Sequence, residues 1–172
     1  MAPQQSGSPH PSDRLPLQRR GREESPEERA DRMWLDLLQE LRVAQTGIQI
    51  LFGVLLIAVF QPVFASLSDT DRALYIAAVT LGAATAGTLI GPVALHRTVA
   101  GRRIKPQTVT LASRMTRTGL AMLAATMILT LLLLLRMAVD DTLALVLTAV
   151  IALWLAALWL VLPVWAGRHY TR

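Results

Sequence analysis

The chain has 172 residues, 53% of them hydrophobic, with a mean hydropathy of +0.44, 17 basic and 12 acidic side chains, three His and no Cys. The missing sulfur excludes a disulfide framework, a thiolate metal site and a Cys nucleophile. Soluble domains are about 45–50% apolar, so a higher apolar content beside an almost wholly polar amino-terminal stretch favours a membrane class.

Residues 1–24, MAPQQSGSPHPSDRLPLQRRGREE, combine Pro, Gly, Ser, Gln and charge with almost nothing to bury, which predicts a disordered cytoplasmic tail. No apolar region follows its arginines before the first long apolar stretch, so the tail does not read as a secretory signal. Residues 25–42 read as an interfacial amphipathic helix. Ser25 supplies an N-cap, Pro26 the first helical position, and Glu28 closes a capping box. Met33, Trp34, Leu37, Leu38 and Leu41 recur at helical spacing, while Asp31, Arg32, Asp36, Gln39 and Glu40 take the other side. The pattern places Trp34 at headgroup depth and runs on into the first span.

Four stretches lack Asp, Glu, Lys and Arg: 43–68, 73–95, 118–135 and 142–167. A bilayer core of about 30 Å takes roughly 20 helical residues to cross, and four such segments leave too little polar surface for a soluble fold. The expected architecture is all-α: a four-helix transmembrane bundle over 43–167, with spans at about 43–66, 73–95, 118–138 and 142–166, and a short carboxyl end at 168–172. Arg136 lies inside the third span. The Leu-rich run before it outweighs its insertion cost, and it can reach headgroups or pair with Asp140 or Asp141.

Between spans two and three lie Arg97, Arg102, Arg103, Lys105, Arg114 and Arg117 with no acid, whereas the connections after spans one and three are short and carry Asp69, Asp71 and Arg72, and Asp140 and Asp141. Basic connections stay inside, so both termini are expected in the cytoplasm of a plasma-membrane protein. The high pI then reflects attraction to an anionic cytoplasmic leaflet rather than to nucleic acid, because Arg97 to Arg117 carries no base-stacking aromatic.

The most polar membrane face runs through Glu40, Arg42, Gln45, Thr46 and Gln49 to Gly53. Arg42, Gln45, Gln49 and Gly53 follow at intervals of three, four and four and share one side of a helix. An amide without a partner in hydrocarbon costs several kcal/mol, so this side faces protein or water: either interhelical hydrogen bonds or a polar vestibule. In span two Ala83, Gly87 and Gly91 form a small-residue row that packs on span one or on a second copy. Pro92 can open carbonyls to a nearby donor, and His96 is either an interfacial residue beside Arg97, with Arg97 paired to Glu40 or Asp36, or a proton relay. Three scattered His form no metal site, no cofactor motif is present, and no nucleophile with its base or paired acids points to an enzyme. Trp154, Trp159, Trp165 and Tyr170 share no face and read as lipid-facing or belt residues, with Pro163 and Gly167 as a stop.

Trp34 to Leu56, the Gly91 to Arg97 ending GPVALHR and a late Trp-Leu-Pro element resemble an uncharacterised family of small four-span actinobacterial membrane proteins, over about Met33 to Arg168. The resemblance implies a four-helix integral membrane protein of unknown activity, some members of which carry a sodium/proton antiporter label by transferred naming. It further implies that Glu40, Arg42, Gln45, Thr46, Gly47, Gln49, His96 and Arg97 are recurrent polar positions, and it supplies no catalytic residue. Antiport would want a carboxylate near the bilayer midplane, and every Asp and Glu lies outside the four spans. The expected role is therefore a non-enzymatic scaffold or modulator with a homo-oligomer or another membrane protein as partner. The alternative is a small oligomeric ion or solute transporter using the polar face of span one.

Overall fold

The computed structural model describes residues 25–99 and 106–170. The expected disordered tail at 1–24, and Arg102, Arg103 and Lys105 of the basic connection, lie outside the described residues.

Helix α1 runs unbroken over Pro26–Ala58. The Glu28 amide donates to Ser25 Oγ at 3.1 Å and the Ser25 amide to Glu28 Oε2 at 2.9 Å, which is the reciprocal cap that the sequence predicts. The helix stops about two turns before the predicted end of span one: Pro62 has no amide to extend a helix, and the chain forms instead a separate 3-10 helix, Pro62–Ser66. Helix α2 (Asp69–Val99) follows, started by Ser68, whose Oγ accepts from the Asp71 amide at 3.2 Å. Helix α3 covers Pro106–Ala138. The Asp140 carboxylate accepts from the Thr142 and Leu143 amides, each at 3.1 Å, and starts helix α4 (Asp141–Ala156). Pro163 does not end this rod, contrary to the sequence reading. A π-turn over Ala157–Val161, closed by the Leu162 amide on the Ala157 carbonyl, absorbs the missing donor, and helix α5 continues over Leu162–Tyr170. All four long apolar segments are helical and long enough to cross a membrane, and no strand occurs among the described residues.

The α2–α3 pair is the tightest. A Cβ placed on Gly119 would lie 2.5 Å from Leu89 Cδ2 and 2.9 Å from Leu89 Cγ, so glycine at 119 is what lets the Leu89 side chain pack there, whereas one on Gly91 would overlap only the terminal methyl of the flexible Met115 side chain. Thr85 and Thr126 meet at 3.4 Å between the same helices. Helix α1 fills the groove beside this pair, with Leu41, Ile48, Leu89 and Leu123 forming the central cluster and Leu55, Tyr75, Ala78 and Leu133 the next. Gly82 admits the Phe52 ring, and Tyr75 donates to the Leu55 carbonyl at 2.8 Å. Helix α4 lies on α3 through Ala144 and Thr148. Only 6% of its most apolar window is buried, against 28% in α2 and α3, so lipid is its principal neighbour.

These contacts also set depth. Gln45 meets Leu89 and Phe52 meets Gly82, while Gly91 meets Met115 and Asp71 meets Arg136. Arg42, Pro92, Arg114 and Arg117 therefore share one level, and Asp71 and Arg136 another. Nineteen residues part Arg117 from Arg136, about 28 Å of helix, which matches a hydrocarbon core of about 30 Å. Helices α1, α2 and α3 have 33, 31 and 33 residues, about 46–50 Å each, so they extend beyond that core at the arginine end. Residues 25–42 run on into span one as expected, but as one continuous helix, and they do not lie along the interface. Ala30 and Trp34 pack with Val109 and Ala112 in a three-helix extension, and Trp34 is fully buried. The apolar stripe seeks cover, and α2 and α3 reach far enough to supply it.

Candidate functional site

The polar face of α1 divides between two environments. Gln45 is half-buried and donates through Nε2 to the Leu89 carbonyl of α2 at 2.8 Å. Leu89 lies within one turn of Pro92, which lacks the amide that would bind the Thr88 carbonyl. The amide thus ties α1 to the α2 backbone one residue from the carbonyl that Pro92 leaves without its amide, and does not itself fill that gap. Gln49 is turned outward instead and makes no hydrogen bond to a described residue. Thr46 is exposed too, its hydroxyl bonded to the Arg42 carbonyl of its own helix at 3.0 Å. Arg42 is exposed, and a Cβ on Gly47 or Gly53 would meet nothing within 4 Å. The single polar side expected from the spacing of Arg42, Gln45, Gln49 and Gly53 is in fact two: Gln45 inward, and Arg42, Thr46, Gln49 and Gly53 on an outer line at intervals of four, three and four.

The small-residue row of α2 divides likewise. Gly91 faces Met115 of α3, while Ala83 and Gly87 lie outside with no neighbour within 4 Å of a Cβ on Gly87. The close approaches are made by Gly82, Gly91 and Gly119, two of which the row omits. Spacing alone did not single out Gly82 or Gly119; their signal is a glycine aligned, on the opposing helix, with a large side chain at the same depth.

Beyond the arginine level, His96 stacks on Trp34 with ring centroids 5.5 Å apart. His96 Nδ1 and Trp34 Nε1 are both buried without a hydrogen-bond partner among the described residues. Glu40 and Arg97 are exposed, and, contrary to the pairing expected from the sequence, neither Glu40 nor Asp36 pairs with Arg97 among the described residues. Glu40, His96 and Arg97 consequently do not join Gln49 in one site. At the other end of the bundle, Arg136 Nε donates to Asp71 Oδ1 at 2.7 Å and Nη1 lies 3.1 Å from Asp141 Oδ1, joining α2, α3 and α4. Pairing with a carboxylate near Arg136 is expected from sequence, though Asp71 is not the partner it suggests. At the start of α2 the Asp71 carboxylate accepts from Arg136 Nε and, through Oδ2, from Ser68 Oγ at 2.6 Å.

Two cavities flank α1. One of about 420 Å³ lies at the arginine end beside Ala30, Met33, Val109 and Ser113. The other, of about 190 Å³, lies at the acidic end and is lined by apolar groups including Leu55, Phe64, Tyr75 and Leu133. Neither is lined by Glu40, Arg42, Gln45, Thr46, Gln49, His96 or Arg97, so the polar face does not open into a vestibule at either place. From the arginine level inward the bundle interior is filled by Leu89, Ile48, Thr85 and Thr126, all fully buried. Thr85, Thr126 and Thr130 satisfy their hydroxyls on the carbonyls of Leu81, Met122 and Thr126 at 2.7–2.9 Å, which leaves these groups no need of internal water. Among the described residues no group of three His, Asp or Glu is placed to hold a metal ion.

Four apolar helices around such a core define a multi-pass α-helical membrane protein. The chain belongs to a family of unknown function, DUF6328, whose model matches residues 23–163, nearly the whole of the described bundle. No curated protein and no solved structure matches it.

Proposed function

We propose that the protein is a non-enzymatic membrane scaffold or modulator that binds a membrane partner through the outer line of α1, Arg42, Thr46, Gln49 and Gly53. The observation that carries this reading is Gln49: a carboxamide at hydrocarbon depth, turned away from its own bundle and without a described partner. An amide left to lipid costs several kcal/mol, so a partner that meets it gains what the isolated chain lacks. The filled core at Ile48, Leu89, Thr85 and Thr126 supports a binding role over passage of a solute through one chain. In this reading the protein sits in the plasma membrane with its arginine end cytoplasmic and both termini on that side, held by Arg42, Arg97, Arg114 and Arg117 against an anionic leaflet.

The test is a photo-reactive side chain placed at Gln49 in native membranes, with Leu145 on the exposed side of α4 as the control. Protein adducts from position 49 and none from 145 are expected. Equal labelling from both positions would show the line to be ordinary lipid-facing surface. Proton or sodium flux in proteoliposomes, abolished by Glu40→Gln or Gln49→Leu, would replace the scaffold reading with transport. Topology is checked separately: cysteine at Thr70 should react with an impermeant reagent in intact cells, and cysteine at Gln107 should not.

A further inference from the structure

The outer line of α1 has a shape and chemistry that suit one kind of occupant. Gln49 lies seven residues beyond Arg42, about 10 Å past the arginine level and well inside a core whose half-thickness is about 15 Å. Lipid headgroups do not reach that depth, so the occupant must bring its own polar group there. A carboxamide has two N–H donors and a carbonyl acceptor, and two of them can bond reciprocally. Copies of one chain related by a two-fold axis normal to the membrane hold every residue at the depth of its mate. Gln49 then meets Gln49 of the second copy without any register to specify. An unrelated protein would have to present a matching polar group at this level.

The surroundings permit close approach. Gly53, one turn deeper, leaves open space where a side chain would stand, and Thr46, one turn back, has already satisfied its hydroxyl within α1. The Gln45–Leu89 and Phe52–Gly82 contacts bracket Gln49 and place the exposed Ala83 and Gly87 of α2 at about its level, so the adjoining surface is also smooth. Arg42 stands on the same line but at the headgroup level, where its long side chain reaches water and salt screens its repulsion from the second copy.

We infer that the partner of the α1 outer line is a second copy of this chain, joined in a parallel dimer by a Gln49–Gln49 amide pair with Gly53 at the crossing. The inference rests on the scaffold reading and names its occupant. The test uses the full chain in vesicles, labelled with donor and acceptor dyes at Thr70→Cys, the only thiol present, and follows energy transfer as lipid dilutes the protein. The wild-type chain should transfer energy, and Gln49→Leu should weaken self-association about 3-fold to 30-fold, the range for single intramembrane hydrogen bonds. Gly53→Leu should weaken it at least as much. Because nothing in the monomer lies within 4 Å of a Cβ at Gly53, that variant should keep the wild-type tryptophan fluorescence and unfolding midpoint, which separates lost association from lost folding. Absence of transfer in the wild-type chain, or transfer unchanged in Gly53→Leu, overturns the dimer. Photo-adducts from position 49 of twice the chain mass support it. Adducts with a different protein only would overturn self-association and leave the scaffold reading standing, and no protein adduct at all would remove both.

Discussion

Alanine at Gly119 should destabilise the bundle where alanine at Gly47 does not. A Cβ at Gly119 would stand 2.5 Å from Leu89 Cδ2, 2.9 Å from Leu89 Cγ and 3.5 Å from Thr88 Cγ2. Carbon atoms rest at about 3.5–4.0 Å, so the nearest contact is short by about 1 Å. Leu89 has no room to swing aside. It is fully buried among Leu41, Ile48 and Leu123, and its own carbonyl holds the Gln45 amide. The helices must therefore part, and overpacking of this kind costs about 1–3 kcal/mol. Both substitutions gain the helix propensity of Ala over Gly, about 0.8–1.0 kcal/mol, and in the difference between the two variants that gain cancels. Gly47 has nothing within 4 Å of the added methyl, so it isolates the propensity effect. Reversible unfolding in mixed micelles, followed by tryptophan fluorescence at high dilution, should find Gly119→Ala less stable than Gly47→Ala by about 1–3 kcal/mol. Agreement of the two within about 0.5 kcal/mol, the scatter of ordinary surface substitutions, would refute the α2–α3 contact.

Gln45→Leu removes the donor to the Leu89 carbonyl and should cost about 0.6–1.7 kcal/mol in the same assay, with faster amide exchange around Leu89; unchanged exchange there would deny the bond. Trp34→Ala empties a fully buried site beyond the arginine level and should cost about 3–5 kcal/mol, seen as lost exchange protection over residues 26–41 while the Ile48 region stays protected. A loss near zero would return Trp34 to the membrane surface. Arg136→Gln unlinks α2 and α4 and should speed exchange in the first turns of α4; if those amides are unmoved, the ion triad holds nothing together.

What the sequence makes legible here is whatever depends on one helix at a time. Charge-free length exposes the four spans, Ser25 and Glu28 expose the start of α1, and the acids beside Arg136 expose an ion pair, because each signal is complete within a few residues. Partnership between helices follows a different rule. Periodicity gives every residue an angle around its own axis but cannot say where a neighbour's axis lies, and around the first helix a change of about one hundred degrees per residue separates a core position from a lipid-facing one. Gln45 and Gln49 are a turn apart and look equivalent in the sequence, yet α2 stands on the side of Gln45 and leaves Gln49 uncovered. Ala83, Gly87 and Gly91 look like one row until α3 claims Gly91 alone. Trp34 has the amphipathic spacing of an interfacial anchor, and only the reach of α2 and α3 beyond the arginines turns it into core. The residues whose placement the sequence leaves undecided are thus those that a second helix decides, and Gln49 is one for which the described residues supply no such helix.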